Sequence, residues 1–225
     1  ACNTNSPCPP RPEATTLTEC LLVIIVSDPT TAARQLADGH HFACPWDGCS
    51  GWLGPWGSAH TRPVGCYGGG VDVYTPKGAR CRACERTQVL VPASTFPKRA
   101  DSVETVLNAI AMATNGAGHR TIAARVGLPE TTVRGWLRRA RANAETIRAN
   151  ATIAMCALDR AADKIAPTGT QLGDMLEAVG RAAMAWNNQH PDQPEAIPRL
   201  ELAALLTGGE LLKRNPTRLI YWPPS

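Results

Sequence analysis

The cysteines in the first half of the chain are the residues best suited to chemistry. Cys81 and Cys84 lie three apart in "RCRACERTQVLVP" (residues 80–92), a spacing at which two thiolates can bind one ion. A second pair, Cys44 and Cys49 in "CPWDGC", lies upstream. Four thiolates from two such pairs complete a closed tetrahedral site, so the sequence predicts a structural Zn²⁺ ion on Cys44, Cys49, Cys81 and Cys84. The first pair is wider than the common C-x2-C, and the intervening segment 50–80 is longer than is usual in a zinc ribbon.

Other roles for these cysteines stay open on sequence alone. A thioredoxin-like redox pair should open a helix after a strand, whereas "RCRAC" lies between strand signals, and the pair could also have no special role. Cys66, in "GCYGGG", is predicted to be an unliganded thiol and is the first substitute if Cys49 is not a ligand. Three histidines are near enough in sequence to compete for the ion: His40, His41 and His60.

The cysteine count and the hydropathy pattern bear on the compartment. The chain has nine cysteines, and an odd number argues against a fully paired secreted framework. The apolar run "LLVIIV" at 21–26 is too short and wrongly flanked for a signal peptide or a membrane span. We therefore expect a cytoplasmic protein with reduced thiols and no membrane association. Cys156, among Ala and Met, is predicted to be a small core residue on a helix.

The first half of the chain alternates strand signals with Gly and Pro turns. Residues 1–20 are predicted to be a disordered extension, and residues 21–97 a zinc-ribbon-like β-unit. Its strands are predicted at 21–26, which should be a buried strand, at 71–75 ("VDVYT") and at 88–92 ("QVLVP"). The unit is too poor in apolar residues to fold by burial alone. A zinc ion would contribute on the order of 10 kcal/mol to its folding.

From residue 98 to 148 the pattern becomes that of a helix-turn-helix. Asp101 and Glu104 resemble a capping box, and the helix that follows should stop at "NGAG" (115–118). Helices are then predicted at 121–126 and from 130 to 148 or beyond. Ala123 suits the close contact between these two helices, and Gly127 suits the left-handed turn. Pro129 suits the first turn of the second helix. Five further apolar residues would fill the core between the two helices: Ile122, Val126, Val133, Trp136 and Leu137.

The second of these helices leaves a polar and basic set of residues outside the predicted core. Near its N-terminus, which is the part that would enter the major groove, base contacts are predicted for Thr131, Thr132 and Arg134. Phosphate contacts are predicted for Arg138, Arg139 and Arg141. Between Lys77 and Arg99, six basic residues against Glu85 alone would add contacts to a polyanion backbone. The alternative is a three-helix bundle with an ordinary solvated basic face.

Residues 149–225 are predicted to form a helical C-terminal segment. Helices are expected at 171–187 and 199–213, and the first of these carries an apolar stripe that includes Leu172, Met175, Val179 and Trp186. Homodimerisation through this segment would let two recognition helices read two half-sites, but simple packing onto the preceding helices explains the stripe equally well. The predicted fold class is α+β, mainly α: a small zinc-ribbon β-unit, a helix-turn-helix and a helical C-terminal segment.

The order of these parts carries a resemblance to a known family. The segments "CPWDGCSGWLGPWG", "ARCRACERTQVLVP", "RADSVETV" and "GHRTIAARVGLPETTVRGWLRRAR" resemble an actinobacterial family of transposase-like zinc-ribbon plus helix-turn-helix proteins. They are also similar to the N-terminal DNA-binding part of insertion-sequence transposases. The likeness covers residues 22–141, and "LLTGGELL" (205–212) is similar to that family's tail. The resemblance implies zinc on the paired cysteines and DNA on the helix that begins near Pro129. It also implies a bacterial protein that is nucleoid-associated within the cytoplasm.

The sequence therefore favours a sequence-specific double-stranded DNA-binding protein, transposase-like or a transcriptional regulator, with a structural zinc site. The alternative is a zinc-ribbon protein-interaction adaptor without intrinsic DNA specificity. We expect no enzymatic activity, because a transposase needs a further domain that presents three carboxylates to two metal ions, and residues 142–225 show no strand series for it. No small-molecule substrate is indicated.

Overall fold

A computed structural model describes residues 22–46, 48–189 and 210–212, and it shows a mixed α/β fold. The first half contains β1 (Leu22–Val26), α1 (Pro29–Ala37), β2 (Phe42–Ala43), β3 (Trp52–Ser58), β4 (Arg62–Gly65), β5 (Val71–Tyr74), β6 (Lys77–Cys81) and β7 (Thr87–Pro92). The second half contains α2 (Val103–Thr114), α3 (His119–Val126), α4 (Glu130–Leu158), α5 (Gln171–Gln189) and a 3-10 turn at Glu210–Leu212.

The main sheet has five strands in the order β1-β7-β6-β3-β2, while β4 and β5 pair with each other in a separate hairpin. The predicted strands at 21–26, 71–75 and 88–92 are confirmed as β1, β5 and β7. The first was expected to be buried, but β1 is an edge strand, parallel to β7, in which Ile24 is buried and its described neighbours are half-buried. All other pairings in the sheet are antiparallel.

The parallel pairing of β1 and β7 depends on α1, a helix that the sequence reasoning did not predict. Asp28 caps its N-terminus, where the side chain accepts a hydrogen bond of 2.7 Å from the Thr31 amide, and Pro29 occupies the first turn. Ala32 and Leu36 are buried against the sheet. The signal was present in "DPTTAARQLADG", which has a capping residue, a Pro at the first position and Gly39 just past the end.

The helix α2 begins one residue later than predicted. Ser102 is the N-cap, and its hydroxyl accepts a hydrogen bond of 3.1 Å from the Thr105 amide. The predicted capping pair of Asp101 and Glu104 is therefore wrong. Because Asp101 lies one position before the cap, its carboxylate cannot serve the orphan amides of the first turn. The helix ends at Thr114 with Asn115 as its C-cap, as the "NGAG" signal predicted.

A continuous helical core joins α2 to α5. The helix α4 is 29 residues long, so the predicted boundary between 148 and 149 falls inside it. Residues from both sides of that boundary, Ile147 and Met155 among them, are buried in the same cluster as α5 residues such as Met175 and Val179. The helix predicted at 171–187 is confirmed as α5. Residues 1–20 and most of the helix predicted at 199–213 lie outside the described residues, and 210–212 form the 3-10 turn.

The position of Cys156 corrects one prediction about the core. Cys156 lies on α4 as expected, but it is exposed, so its predicted place in the core is wrong. The buried residue is Met155, one position before it.

The sheet contacts the helices through a small apolar cluster. Ala93, just after β7, packs with Ala183 and Trp186 of α5. No helix within the described ranges is long and apolar enough to cross a membrane.

Candidate metal centre and basic helix face

The four predicted cysteines meet at one end of the sheet. Cys44 and Cys49 lie in the first cysteine turn (residues 44–46 and 48–49), between β2 and β3. Cys81 is the last residue of β6, and Cys84 follows it in the second cysteine turn (residues 81–85), which leads to β7. The turns are adjacent because β3 pairs with β6, with Leu53 opposite Cys81. All four Sγ atoms lie within 4.8 Å of one another.

The distances between thiols fit a tetrahedral ion. Cys44 Sγ lies 3.7 Å from Cys84 Sγ, and Cys49 Sγ lies 3.7 Å from Cys81 Sγ. An ion with metal–sulfur bonds of about 2.3 Å in tetrahedral geometry requires a sulfur–sulfur edge of about 3.8 Å. Each of these short edges joins one turn to the other, so a bound metal ion would cross-link the two halves of the sheet.

Two backbone amides of the second cysteine turn donate hydrogen bonds to the Cys81 sulfur. The amide nitrogens of Ala83 and Cys84 lie 3.4 and 3.5 Å from Cys81 Sγ. Glu85 takes a left-handed conformation with φ of 61°, and its amide donates to the Cys81 carbonyl over 3.1 Å. These hydrogen bonds hold the turn in a shape that directs the sulfurs of Cys81 and Cys84 toward the same point.

Gly51 allows the two cysteine turns to approach each other. A Cβ atom at this position would lie 2.6 Å from Ala83 Cβ and 2.7 Å from Cys81 Sγ. Both distances are far below a van der Waals contact of about 3.5–4.0 Å. Only glycine fits between the turns without moving a sulfur. The sequence reasoning missed this residue, since its role depends on a contact between segments thirty residues apart.

The pKa values of Cys81 and Cys44 are shifted in opposite directions. Burial favours the protonated form of Cys81, but hydrogen bonds from the amides of Cys84 and Ala83 and from the thiols of Cys84 and Cys44 together outweigh it and lower the pKa of Cys81 to about 6. Burial is the main cause that raises the pKa of Cys44 to about 12, and hydrogen bonds with the neighbouring thiols add to it. One thiolate therefore forms readily at Cys81. Further thiolates in this confined space need a cation to balance them.

Among the described residues, the thiols of Cys66 and Cys156 and the histidines do not join this cluster. Within the described ranges, the four cysteines are the one group of three or more His, Cys, Asp or Glu side chains placed to hold a metal ion. Cys66 Sγ lies 3.7 Å from the Val64 carbonyl in the hairpin. Cys81 and Cys84 lie in a turn between two strands and do not open a helix, which differs from the arrangement expected of a thioredoxin-like pair.

The second candidate site is the pair of helices α3 and α4. Gly127 follows α3 in the left-handed conformation, with φ of 69° and ψ of 28°, and the amides of Gly127 and Leu128 donate to the Ala123 carbonyl. Pro129 precedes α4 as its N-cap, one residue before the first turn where it was expected. The residues predicted for the contact between the helices are buried, except Val126, which is partly buried: Ile122, Ala123, Val133, Trp136 and Leu137.

Four of the six predicted DNA-contacting residues form one exposed stripe along the first turns of α4. Thr131, Arg134, Arg138 and Arg141 are all exposed, and their spacing of three, four and three residues keeps them on one helical face. Glu145 follows on the same face and is paired with Arg148, with a shortest distance of 2.6 Å, so the basic stripe ends there. We call these four residues the α4 stripe.

The other two predicted contacts lie at the border of the α4 stripe. Thr132 is half-buried. Arg139 is also half-buried, its Nε is buried, and its guanidinium folds back over Gly135, where a Cβ atom would lie 3.2 Å from Nη2. The structure therefore places Arg139 against its own helix, because a glycine one turn earlier leaves room for the guanidinium there.

The basic residues between 77 and 99 have varied surroundings. Arg80 donates to the Glu85 carbonyl and carboxylate and lies over the Trp56 ring, 4.6 Å from its centroid. Arg86 lies over the Trp46 ring at 3.7 Å. Arg99 donates to the Leu212 carbonyl over 3.0 Å, and its Nε is buried. Arg99 thus ties the 3-10 turn to the rest of the molecule.

Comparison with known proteins returns no match: no family model, no curated protein and no solved structure matches the chain.

Proposed function

We propose that the protein is a sequence-specific double-stranded DNA-binding protein, acting in transcription regulation or as the DNA-binding part of a transposition protein. The observation that supports this most is the α4 stripe. It presents three exposed arginines and a threonine at the N-terminal end of a helix that follows a glycine turn from α3. In a helix-turn-helix, the second helix enters the major groove with this end leading.

The proposed mechanism divides the stripe by position. Thr131 and Arg134 lie in the first two turns of α4, where side chains reach base edges, and an arginine can bind guanine O6 and N7 together. Arg138 and Arg141 lie further along, where they would neutralise phosphates and fix the register of the helix. The proposed action is binding alone, with no bond made or broken.

In this proposal the ion of the cysteine cluster is zinc with a structural role. Four sulfur donors, closed around one point with no position left for water or substrate, suit Zn²⁺ in a structural site. The ion would hold β3 and β6 together at the end of the sheet that carries the two cysteine turns. The β-unit would then be a rigid neighbour of the helices, joined to them through Ala93 and Trp186.

The test is selection from a random pool of duplexes, followed by binding measurements with purified metal-loaded protein. Wild-type protein should enrich a motif. Arg134→Ala should relax that motif at the position it reads, by about 1–3 kcal/mol. Arg138→Ala should weaken binding to all duplexes alike. Arg34→Ala, which removes an exposed arginine from α1, is the matched control and should change neither.

Two results would refute the proposal. If Arg138→Ala and Arg34→Ala bound duplexes equally well, the α4 stripe would not be the interface. If Arg134→Ala enriched the wild-type motif at the wild-type strength, the recognition role of α4 would be wrong. Complete absence of duplex binding at low salt would favour the protein-interaction adaptor instead.

A further inference from the structure

The outer face of the main sheet carries exposed aromatic and basic side chains that the proposed duplex interface does not use. Trp52 and Trp56 of β3 are 48% and 53% exposed, which is unusual for side chains of this size. They flank Gly54, and the Arg82 side chain lies over that glycine, with Nε 3.2 Å from where a Cβ would be. Arg80 lies over the Trp56 ring. We call Trp52, Trp56, Arg80, Arg82 and His41 the aromatic–basic face.

A cavity opens beside Trp52 at the edge of this face. Its volume is about 280 Å³, and it is lined by Trp52, Arg82, His40, His41, Leu36 and Leu53, among others. The His41 ring lies 5.1 Å from the Trp52 ring, tilted by 47°. The cavity is smaller than the sites of about 300–1,000 Å³ that take drug-sized ligands. It therefore has room for one small planar group, and the Arg82 side chain is in the lining beside it.

The charge of this face selects the class of ligand. From the start of β6 to the residue after the second cysteine turn, the chain has four basic residues, Lys77, Arg80, Arg82 and Arg86. The one acidic residue in this segment is Glu85, whose carboxylate is already paired with Arg80 at 3.1 Å. An anionic chain is therefore attracted to the face, and the exposed indoles offer flat apolar surfaces. Proteins that bind unpaired nucleotides combine these same two features, because bases stack on aromatic rings while cations follow the backbone.

From this juxtaposition we infer that the aromatic–basic face binds unpaired nucleotides of a single strand, with one base stacked on Trp52 in the cavity and its phosphate on Arg82. Bases in an intact duplex are already stacked and cannot lie flat on an indole. This second surface therefore takes a different form of nucleic acid from the α4 stripe. The inference goes beyond the proposed function and stands on different residues.

The test measures binding of fluorescein-labelled oligo(dT) and oligo(rU), each of twelve nucleotides, and of a labelled duplex of the same length by anisotropy. Trp52→Ala should raise the Kd for the single strand by about tenfold, which corresponds to about 1.4 kcal/mol. Trp52→Phe keeps a ring and should stay within about threefold of wild type. Ile153→Ala, which truncates a 58% exposed apolar side chain on α4, is the control and should have no effect.

The outcomes separate this inference from the proposed function. Loss of single-strand binding in Trp52→Ala with unchanged duplex binding supports the inference, whatever the α4 variants do. Arg138→Ala should show the opposite pattern. Binding of one oligonucleotide but not the other would identify DNA or RNA as the strand. Equal single-strand binding by Trp52→Ala and wild type, or no binding of either oligonucleotide at low salt, would overturn the inference.

Discussion

Replacing Gly51 by alanine should damage the metal centre without changing any ligand. The new methyl group would lie 2.6 Å from Ala83 Cβ and 2.7 Å from Cys81 Sγ, so the two cysteine turns must separate by about 1 Å to restore ordinary contacts. Metal–sulfur distances tolerate deviations of about 0.2 Å. Overpacking of this kind costs about 1–3 kcal/mol. We therefore expect metal affinity to fall by roughly 5- to 150-fold.

The assay is competition for Zn²⁺ between the folded protein and a chromophoric chelator, with Co²⁺ absorption as a report on tetrahedral thiolate geometry. Gly70→Ala is the matched control, because its Cβ would make an ordinary 3.8 Å contact with Cys66. The double variant Gly51→Ala with Ala83→Gly removes one of the two overlaps and should recover part of the affinity. If Gly51→Ala bound the ion as tightly as Gly70→Ala, the packing of the two turns around the sulfurs would be wrong.

Three further predictions concern stability, measured by denaturant or thermal unfolding. Glu85→Gly should leave the free energy of unfolding unchanged or raise it by up to about 1 kcal/mol. Glycine relieves the left-handed backbone at φ 61°, and this gain outweighs the loss of an exposed ion pair with Arg80. A fall of more than about 1 kcal/mol in the free energy of unfolding would show that the ion pair contributes more than the backbone strain costs. Asn143→Ala should destabilise the protein by about 1–3 kcal/mol, because the buried side-chain amide donates a hydrogen bond of 3.0 Å to the Leu211 carbonyl. An unchanged free energy of unfolding would contradict the packing of the 3-10 turn against α4. Burial raises the pKa of Asp101, with Arg99 opposing it, so the ionised carboxylate disfavours the folded state at neutral pH. Asp101→Asn should therefore raise the unfolding temperature at pH 7.5, and the gain should shrink as the pH falls toward the folded pKa; a gain independent of pH would refute this cause.

The cysteine cluster was predictable from sequence because two cysteines a few residues apart can bind one ion together, and two such pairs supply four ligands. Cys44, Cys49, Cys81 and Cys84 are brought together despite the long insertion between the pairs. The insertion is accommodated by the β4–β5 hairpin, which leaves the sheet between β3 and β6 and returns to it. The turn at Gly127 was equally readable, since a left-handed residue between two amphipathic helices is a local property.

The features that sequence reasoning missed depend on contacts between distant segments. The parallel pairing of β1 with β7 spans more than sixty residues and cannot be read from either strand. The exposure of Cys156 depends on which face of α4 meets α5, and a helix of 29 residues packed on several partners does not reveal that face by composition. The position of Arg139 depends on Gly135, one turn away, which leaves space for the guanidinium. The tryptophans of "CPWDGCSGWLGPWG" were visible in the sequence, but only the exposure of Trp52 and Trp56 on the sheet suggests a binding role.

The measurement that tests the central claim most directly is the affinity of the metal-loaded protein for a mixed-sequence DNA duplex across salt concentrations from 50 to 200 mM. Each phosphate neutralised contributes about −0.9 to the slope of log K against log salt. With Arg138 and Arg141 on phosphates, we predict a slope of about −2 or steeper, reduced in magnitude by about one in Arg138→Ala. A flat salt dependence, or a slope unchanged in that variant, would contradict binding of duplex DNA through the α4 stripe.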